Sequence, residues 1–299
     1  MSEMKARVEA KQVLSFLQKQ IGPEINEVTP INGGEMSKAF YFKSDGEDQV
    51  IRFSQFPEAF QKDKYAYEHV ATAQIPIPKV LEIGTSDDQH AFCISEAKPG
   101  KIIDEWDAQT QKKLYPKLYE ILNLIHSSPL DPDCKFGWWE EDGKAEYDTW
   151  NGYITRPRTP VVNSPFFENE FSQRAYEKMK SLGKYLPEDK FLIHGDFAGN
   201  NALSDGENIT GIIDWGNSAY GDYLFDIAYM QFWQDDPMHF YAGVKEQQEA
   251  WGRNVENYDE RVRCYLLHIG LGAIEFWARA GLEDKYMRDK NRILKILES

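Results

Sequence analysis

The sequence predicts an α+β fold in two lobes: a small antiparallel sheet with a helix over residues 1–96, and a mostly helical lobe over residues 97–299. Three observations predict it. Short apolar runs punctuated by turn residues crowd the first hundred positions, as strands do. Helical periodicity takes over from about Asp107, where Leu114, Leu118, Ile121, Leu122 and Ile125 form one apolar face. A linker closed by proline and glycine, Glu96-Ala97-Lys98-Pro99-Gly100, falls where one pattern gives way to the other.

Composition sets the frame. A chain of 299 residues with 41% hydrophobic side chains has core enough for two lobes. Its formal net charge of -15 argues against nucleic acid, whose phosphates demand a basic stripe, and favours cationic small molecules or mere solubility. Cys93, Cys134 and Cys264 are odd in number and far apart, which gives neither a disulfide framework nor a zinc spacing. No run approaches the eighteen apolar residues of a membrane span, and the N-terminus lacks the apolar core of a signal peptide. The expectation is a cytoplasmic protein without a membrane partner.

In order, the N-terminal segment is helix-patterned through Val13, Leu14, Leu17 and Ile21, and Gly22-Pro23 breaks it. Ile25–Asn32 reads as a strand, followed by Gly33-Gly34 and a second strand, Ala39–Lys43. Strands flanking a glycine pair suit either an ordinary hairpin or a phosphate cradle built from backbone N–H groups, with Gly34 and Ser37 as its candidates. Gln49–Phe53 is a short strand carrying one cation, Arg52, and the helix predicted over Pro57–Ala73 carries Asp63. After Ile75–Gly84 comes the strand Ala91–Ser95 and then the linker.

In the second lobe Pro116 falls near a helix start or a kink, and His126, at the end of the helical pattern, reads as a packed or capping histidine. Residues 133–172 are irregular and aromatic. Aromatic faces beside acids, Trp150 among them, suit an amino-sugar ring, and they equally suit plain core. Toward the C-terminus Asp235, Asp236 and Glu275 are candidate rim acids for a cation, or else a solvated acidic face.

The densest chemistry lies in FLIHGDFAGNNALSDGENITGIIDWGNSAYGDYLFD, residues 191–226. The apolar runs Phe191–Ile193 and Ile209–Ile213 read as a two-stranded ribbon turned at Asp205-Gly206 and Glu207-Asn208. Asp196 and Asn201 then sit in the loop after the first strand and Asp214 directly after the second, so that all three can converge. Taken singly, each is an ordinary turn residue. Taken together they are hard oxygen donors without cysteine, a set that suits magnesium at Asn201 and Asp214 and leaves the Asp196 carboxylate for a substrate hydroxyl.

His194-Gly195-Asp196, four residues, Asn201, then Ile213-Asp214-Trp215 resembles the signature of the aminoglycoside phosphotransferase and choline kinase group, distant relatives of protein kinases. Phe60–Tyr67, Ile75–Pro78, Phe92–Ser95, Tyr147–Tyr153 and Leu267–Leu271 extend the resemblance to the hygromycin B phosphotransferase branch. The resemblance implies a protein-kinase-like fold with ATP and Mg2+ bound between the lobes, GTP not being excluded. It implies Asp196 as catalytic base, His194 holding its loop, and Asp226 bracing that loop's backbone. Arg52 would replace the usual lysine on the nucleotide phosphates and Asp63 its usual glutamate partner, a reciprocal swap of a longer cation for a shorter anion. Backbone groups around Ser95 and Ala97 would meet the adenine edge. The acceptor would be a small amino sugar.

Other readings stay open at this stage. They are a kinase for a sugar, an amino alcohol or another antibiotic, and a non-catalytic nucleotide-binding scaffold, for which only the altered lysine–glutamate pair speaks. A dinuclear hydrolase on His194, Asp196 and Asp214 lacks further nitrogen ligands in a chain with six histidines.

Overall fold

A computed structural model describes residues 8–33, 37–159, 161, 164–233 and 244–298. Gly34, Asp235 and Asp236 lie outside the described residues. The chain divides into two compact units. The first takes in the chain up to Ile121, with Glu140–Gly143 and Gly199–Gly216; the second holds Leu122–Trp139, Lys144–Ala198 and Asn217 onward.

In the first unit five strands, β1 (Val28–Ile31), β2 (Ser37–Ser44), β3 (Glu47–Ser54), β4 (Val80–Thr85) and β5 (Ala91–Glu96), form an antiparallel sheet in the order β1-β2-β3-β5-β4. Alternation gives it two faces of different character. Phe40, Phe42, Ile51, Phe53, Phe92 and Ile94 form one apolar face with Val13 and Leu17 of helix α1 (Ala10–Gln20). Burying each such side chain contributes about 1.5–3 kcal/mol. An eleven-residue helix is too short to persist alone, so this burial is what holds it. The register Ala39↔Arg52↔Cys93 places Arg52 on the opposite face, where helix α2 (Pro57–His69) brings Phe60 and Asp63. Strand β4 runs through a segment whose sequence carried no clear strand pattern.

Helix α3 (Ala108–His126) continues through Pro116, which is therefore not at a helix start. Pro inside a helix costs about 3 kcal/mol. Five buried side chains on one face, Leu114, Leu118, Ile121, Leu122 and Ile125, outweigh that cost.

The expected ribbon is corrected in its partners. Strand β10 (Ile209–Ile212) pairs with β9 (Ala202–Ser204), which also receives the short β6 (Lys101–Ile102). Phe191–Ile193 is β8, and it pairs with β11 (Ala219–Gly221), on whose other edge lies β7 (Gly137–Trp138). Gly100 is required where β6 begins: its φ is +97°, and a Cβ there would stand 1.9 Å from the Ser204 carbonyl oxygen.

The rest of the second unit is helical: α4 (Trp150–Ile154), α5 (Asn169–Leu182), α6 (Leu224–Trp233), α7 (Val244–Ala250), α8 (Tyr258–Arg279) and α9 (Glu283–Glu298). Helix α8 is the central one, packing on α5, α6 and α9. No helix among the described residues is long and apolar enough to cross a membrane.

Candidate active site

In the first unit the Arg52 guanidinium donates to Asp63 Oδ2 at 2.6 Å. Burial works against the Arg52 charge, but the Asp63 carboxylate, with Cys93 and Asp214 adding, more than offsets it and raises the guanidinium above its ordinary value. The Phe60 ring supports it from 5.0 Å. Asp63 also accepts the Trp215 N–H on Oδ1 at 2.8 Å, and Lys62 Nζ donates to the Gly216 carbonyl at 3.2 Å. Helix α2 therefore fixes both the cation on β3 and the backbone just after Asp214.

Asn201 and Asp214 lie at one end of the β9–β10 hairpin, because Ile212 faces Ala202 and the Ile213 N–H donates to the Asn201 carbonyl at 3.0 Å. Asp214 holds a left-handed φ of 65°, an uncommon conformation for a residue other than glycine, of the kind often found where a side chain must be aimed. It keeps an exposed face while protein atoms crowd its other sides. That crowding first, and the like charge of Asp63 second, push its carboxyl above the ordinary carboxylate value; Arg52 and the Gly216 N–H pull it back. Two carboxylates against one guanidinium leave an excess negative charge that a cation would relieve. Among the described residues no group of three His, Cys, Asp or Glu could hold a metal. Two protein oxygens, with phosphates and water in the remaining positions, are the donor set magnesium takes, and Asn201 with Asp214 fits it.

A cavity of about 700 Å³ opens on the Arg52 face of the sheet, lined by Thr29, Tyr41, Lys43, Asp48, Ala97 and Lys98 among others. Ala97 lines this cavity, and two of the backbone groups around Ser95 and Ala97, the Glu96 and Ala97 N–H, are already hydrogen-bonded within the sheet region. Ser95 is buried in the ladder opposite Val50, Glu96 N–H donates to the Lys79 carbonyl, and Ala97 N–H donates to the Asp48 carbonyl. Ser37 begins β2 opposite Ser54.

In the second unit the loop after β8 is fixed from beneath. Asp226, fully buried on α6, accepts the His194 N–H at 3.0 Å, the Gly195 N–H at 2.7 Å and His126 Nε2 at 2.9 Å. His194 in turn accepts the Asp196 N–H on Nδ1 at 3.3 Å, so the ring shapes the turn that carries Asp196. Gly195 has a φ of +81°, and a Cβ there would stand 2.0 Å from the Asn217 carbonyl oxygen, so the loop crosses that backbone where only glycine fits. The half-buried Asp196 is thus presented by a backbone with little freedom.

Residues 27–261 match the phosphotransferase enzyme family. The chain belongs to that family. This phosphotransferase is 28% identical over 274 residues to hygromycin-B 4-O-kinase of Escherichia coli, covering 89% of this chain and 79% of that protein. It is 25% identical over 206 residues to an aminoglycoside 3'-phosphotransferase of Enterococcus faecalis, covering 65% of this chain and 75% of that one. Its structure resembles a thermostable mutant of aminoglycoside phosphotransferase APH(4)-Ia solved as a ternary complex with AMP-PNP and hygromycin B. The TM-score is 0.83 at 27% identity over 96% of this chain and 98% of that chain. The fold is protein-kinase-like.

Two acceptor-site expectations are corrected. Trp150 is fully buried, donates Nε1–H to the Tyr265 hydroxyl at 2.9 Å and stacks on Tyr153, so no face of it is open to a ligand. Glu275 is 7% exposed and bound in a two-pronged pair with Arg158 at 2.6 and 3.2 Å, so its charge is already neutralised. Sequence reasoning missed the second role of Asp63, the clamp from Lys62, and the link from His126 to Asp226. Each joins residues tens of positions or more apart, and nothing local marks the partnership.

Arg52 and Asp63 share one interaction, so alanine at both should cost about 0.5–3 kcal/mol less than the two single changes summed. Asp63→Ala should be the worse single change, because it also frees the Trp215 N–H. Nucleotide affinity across the four-member cycle checks this, and simple additivity would remove the coupling.

Proposed function

We propose that this phosphotransferase moves the γ-phosphate of ATP, carried with Mg2+, to a hydroxyl of a small cationic amino sugar, hygromycin B or a related aminoglycoside. The observation that carries the reading is the loop held by Asp226, which presents Asp196 five residues ahead of Asn201. Asp196 would orient the acceptor hydroxyl and take its proton. Arg52, held by Asp63, would contact the phosphates, and Asn201 with Asp214 would hold the magnesium ion, which neutralises phosphate charge when bound. The cavity beside Tyr41, Asp48 and Ala97 would receive the base. With little covalent chemistry for the protein to do, most of the acceleration would come from positioning and charge neutralisation. The working compartment would be the cytoplasm, and the acceptor class follows from the relatives' names and the net charge of -15.

The test is transfer from ATP and from GTP, with and without magnesium, across aminoglycosides and neutral sugars of similar size. Hygromycin B or a related aminocyclitol should be the better acceptor, and chelation should abolish transfer. Because attraction between exposed charges is screened within about 8–10 Å at ordinary salt, raising ionic strength should raise the acceptor KM more than it changes kcat. Neutral sugars outperforming every aminoglycoside would reduce the acidic surface to a solubility device and leave a metabolite kinase.

A further inference from the structure

Trp138 is 47% exposed, and its exposure is held in place. The Arg156 guanidinium lies 5.0 Å over its ring and 4.0 Å over the Tyr153 ring, while Arg156 Nη1 donates to the Tyr153 carbonyl at 2.6 Å. Tyr153, fully packed, meets Trp138 edge-on at 5.9 Å. A single exposed aromatic is ordinary on a protein surface. One fixed by a guanidinium and a buried tyrosine has given up its rotamer freedom before any ligand arrives.

Its place in the sheet supplies the function. Trp138 faces Ala219, and Ala219 faces Ile193, the residue before His194-Gly195-Asp196. Two strand spacings and three residues of chain make a backbone path of about 20 Å from Trp138 to Asp196. The turn at Gly195, whose φ is +81°, folds that path back and brings the two ends nearer than its length, toward the reach of a multi-ring acceptor.

We propose that Trp138 is an acceptor-binding platform on which an uncharged sugar ring of the acceptor stacks, fixing which hydroxyl reaches the catalytic loop. Arg156 already occupies one face of the indole with positive charge, so an ammonium on the other face would be repelled and the C–H face of a neutral ring would not. The amines of the acceptor would therefore lie away from Trp138. This inference rests on the phosphotransferase reading above and adds a specificity-determining residue to it.

Steady-state kinetics with hygromycin B on the wild-type enzyme, Trp138→Ala and Trp138→Phe tests it. Trp138→Ala should raise the KM for hygromycin B about tenfold, with a smaller change in kcat and no matching rise in the KM for ATP; Trp138→Phe should recover most of the loss. If the alanine variant does not fold, Trp138→Leu, which keeps bulk without a flat π face, carries the same expectation. An unchanged acceptor KM in a folded variant overturns the platform. If the wild-type enzyme phosphorylates a neutral sugar and no aminoglycoside, the amino-sugar reading falls, and the same comparison made with that sugar still decides the platform. If it phosphorylates nothing, both fall.

Discussion

Asp196→Asn is expected to bind magnesium-ATP normally and to lose about two to four orders of magnitude in turnover, the usual effect of removing a general base. Asparagine keeps the size of the side chain and its capacity to accept one hydrogen bond, but it cannot take the proton of an attacking hydroxyl at neutral pH. Three bonds that hold the loop are kept through the change: Asp226 still accepts from His194 and Gly195, and the Asp196 N–H that donates to His194 is a backbone group. Loss of activity would thus report on the missing carboxylate rather than on a displaced loop. Nucleotide titration together with single-turnover phosphate transfer separates the two quantities. Near-normal turnover on the true acceptor would remove Asp196 from the role of base.

The largest loss of stability is expected from Asp222→Ala. Asp222 and Arg261 are both about fully buried and make two parallel bonds, at 2.9 and 2.7 Å. The Tyr265 hydroxyl donates to the same carboxylate at 2.5 Å, and the Leu224 N–H at the start of α6 donates to it at 3.2 Å. Removing the carboxylate leaves a guanidinium in the interior without its counter-charge, which costs about 3–5 kcal/mol. The pair itself need not be a net stabiliser against a well-packed apolar alternative, because desolvating two charges offsets their attraction. Asp222→Leu combined with Arg261→Met should therefore be much milder than Asp222→Ala alone. Urea unfolding midpoints of the three proteins decide it; equal losses in the single and double variants would contradict the account.

Much of this was legible in the sequence, and what was not has identifiable causes. Strands β2 and β3 were legible because Phe40, Phe42, Ile51 and Phe53 alternate toward α1, whereas β5 is buried on both faces, by α1 on one and α2 on the other. Arg52 with Asp63 could be paired on resemblance alone. Asn201 and Asp214 come to one end of a hairpin, although the ribbon was drawn with the wrong strand. Phe191–Ile193 and Ala202–Ser204 are both three-residue strands, and so short a run carries no register to tell which one meets Ile209–Ile212. Pro116 read as a helix start or a kink because propensity is local; the burial that carries α3 through it, which removes the first of these, is not. Trp150 and Glu275 looked like acceptor contacts because residue type says nothing of depth: the partners that claim them, Tyr265 and Arg158, lie more than a hundred positions away.

The order in which the strands occur along the chain bears on how this protein comes off the ribosome. Helix α1 and all five strands of the first sheet lie within the first 96 residues, so that sheet and its greasy underside can close while two-thirds of the polypeptide is still being made. The segment carrying Asp196 has no such privilege. It emerges some thirty residues before Asp226, and until that carboxylate appears the N–H groups of His194 and Gly195 have nothing to hold them. A nascent chain arrested after Asp196 but short of α6 would thus carry a finished sheet and an unshaped Asp196 loop.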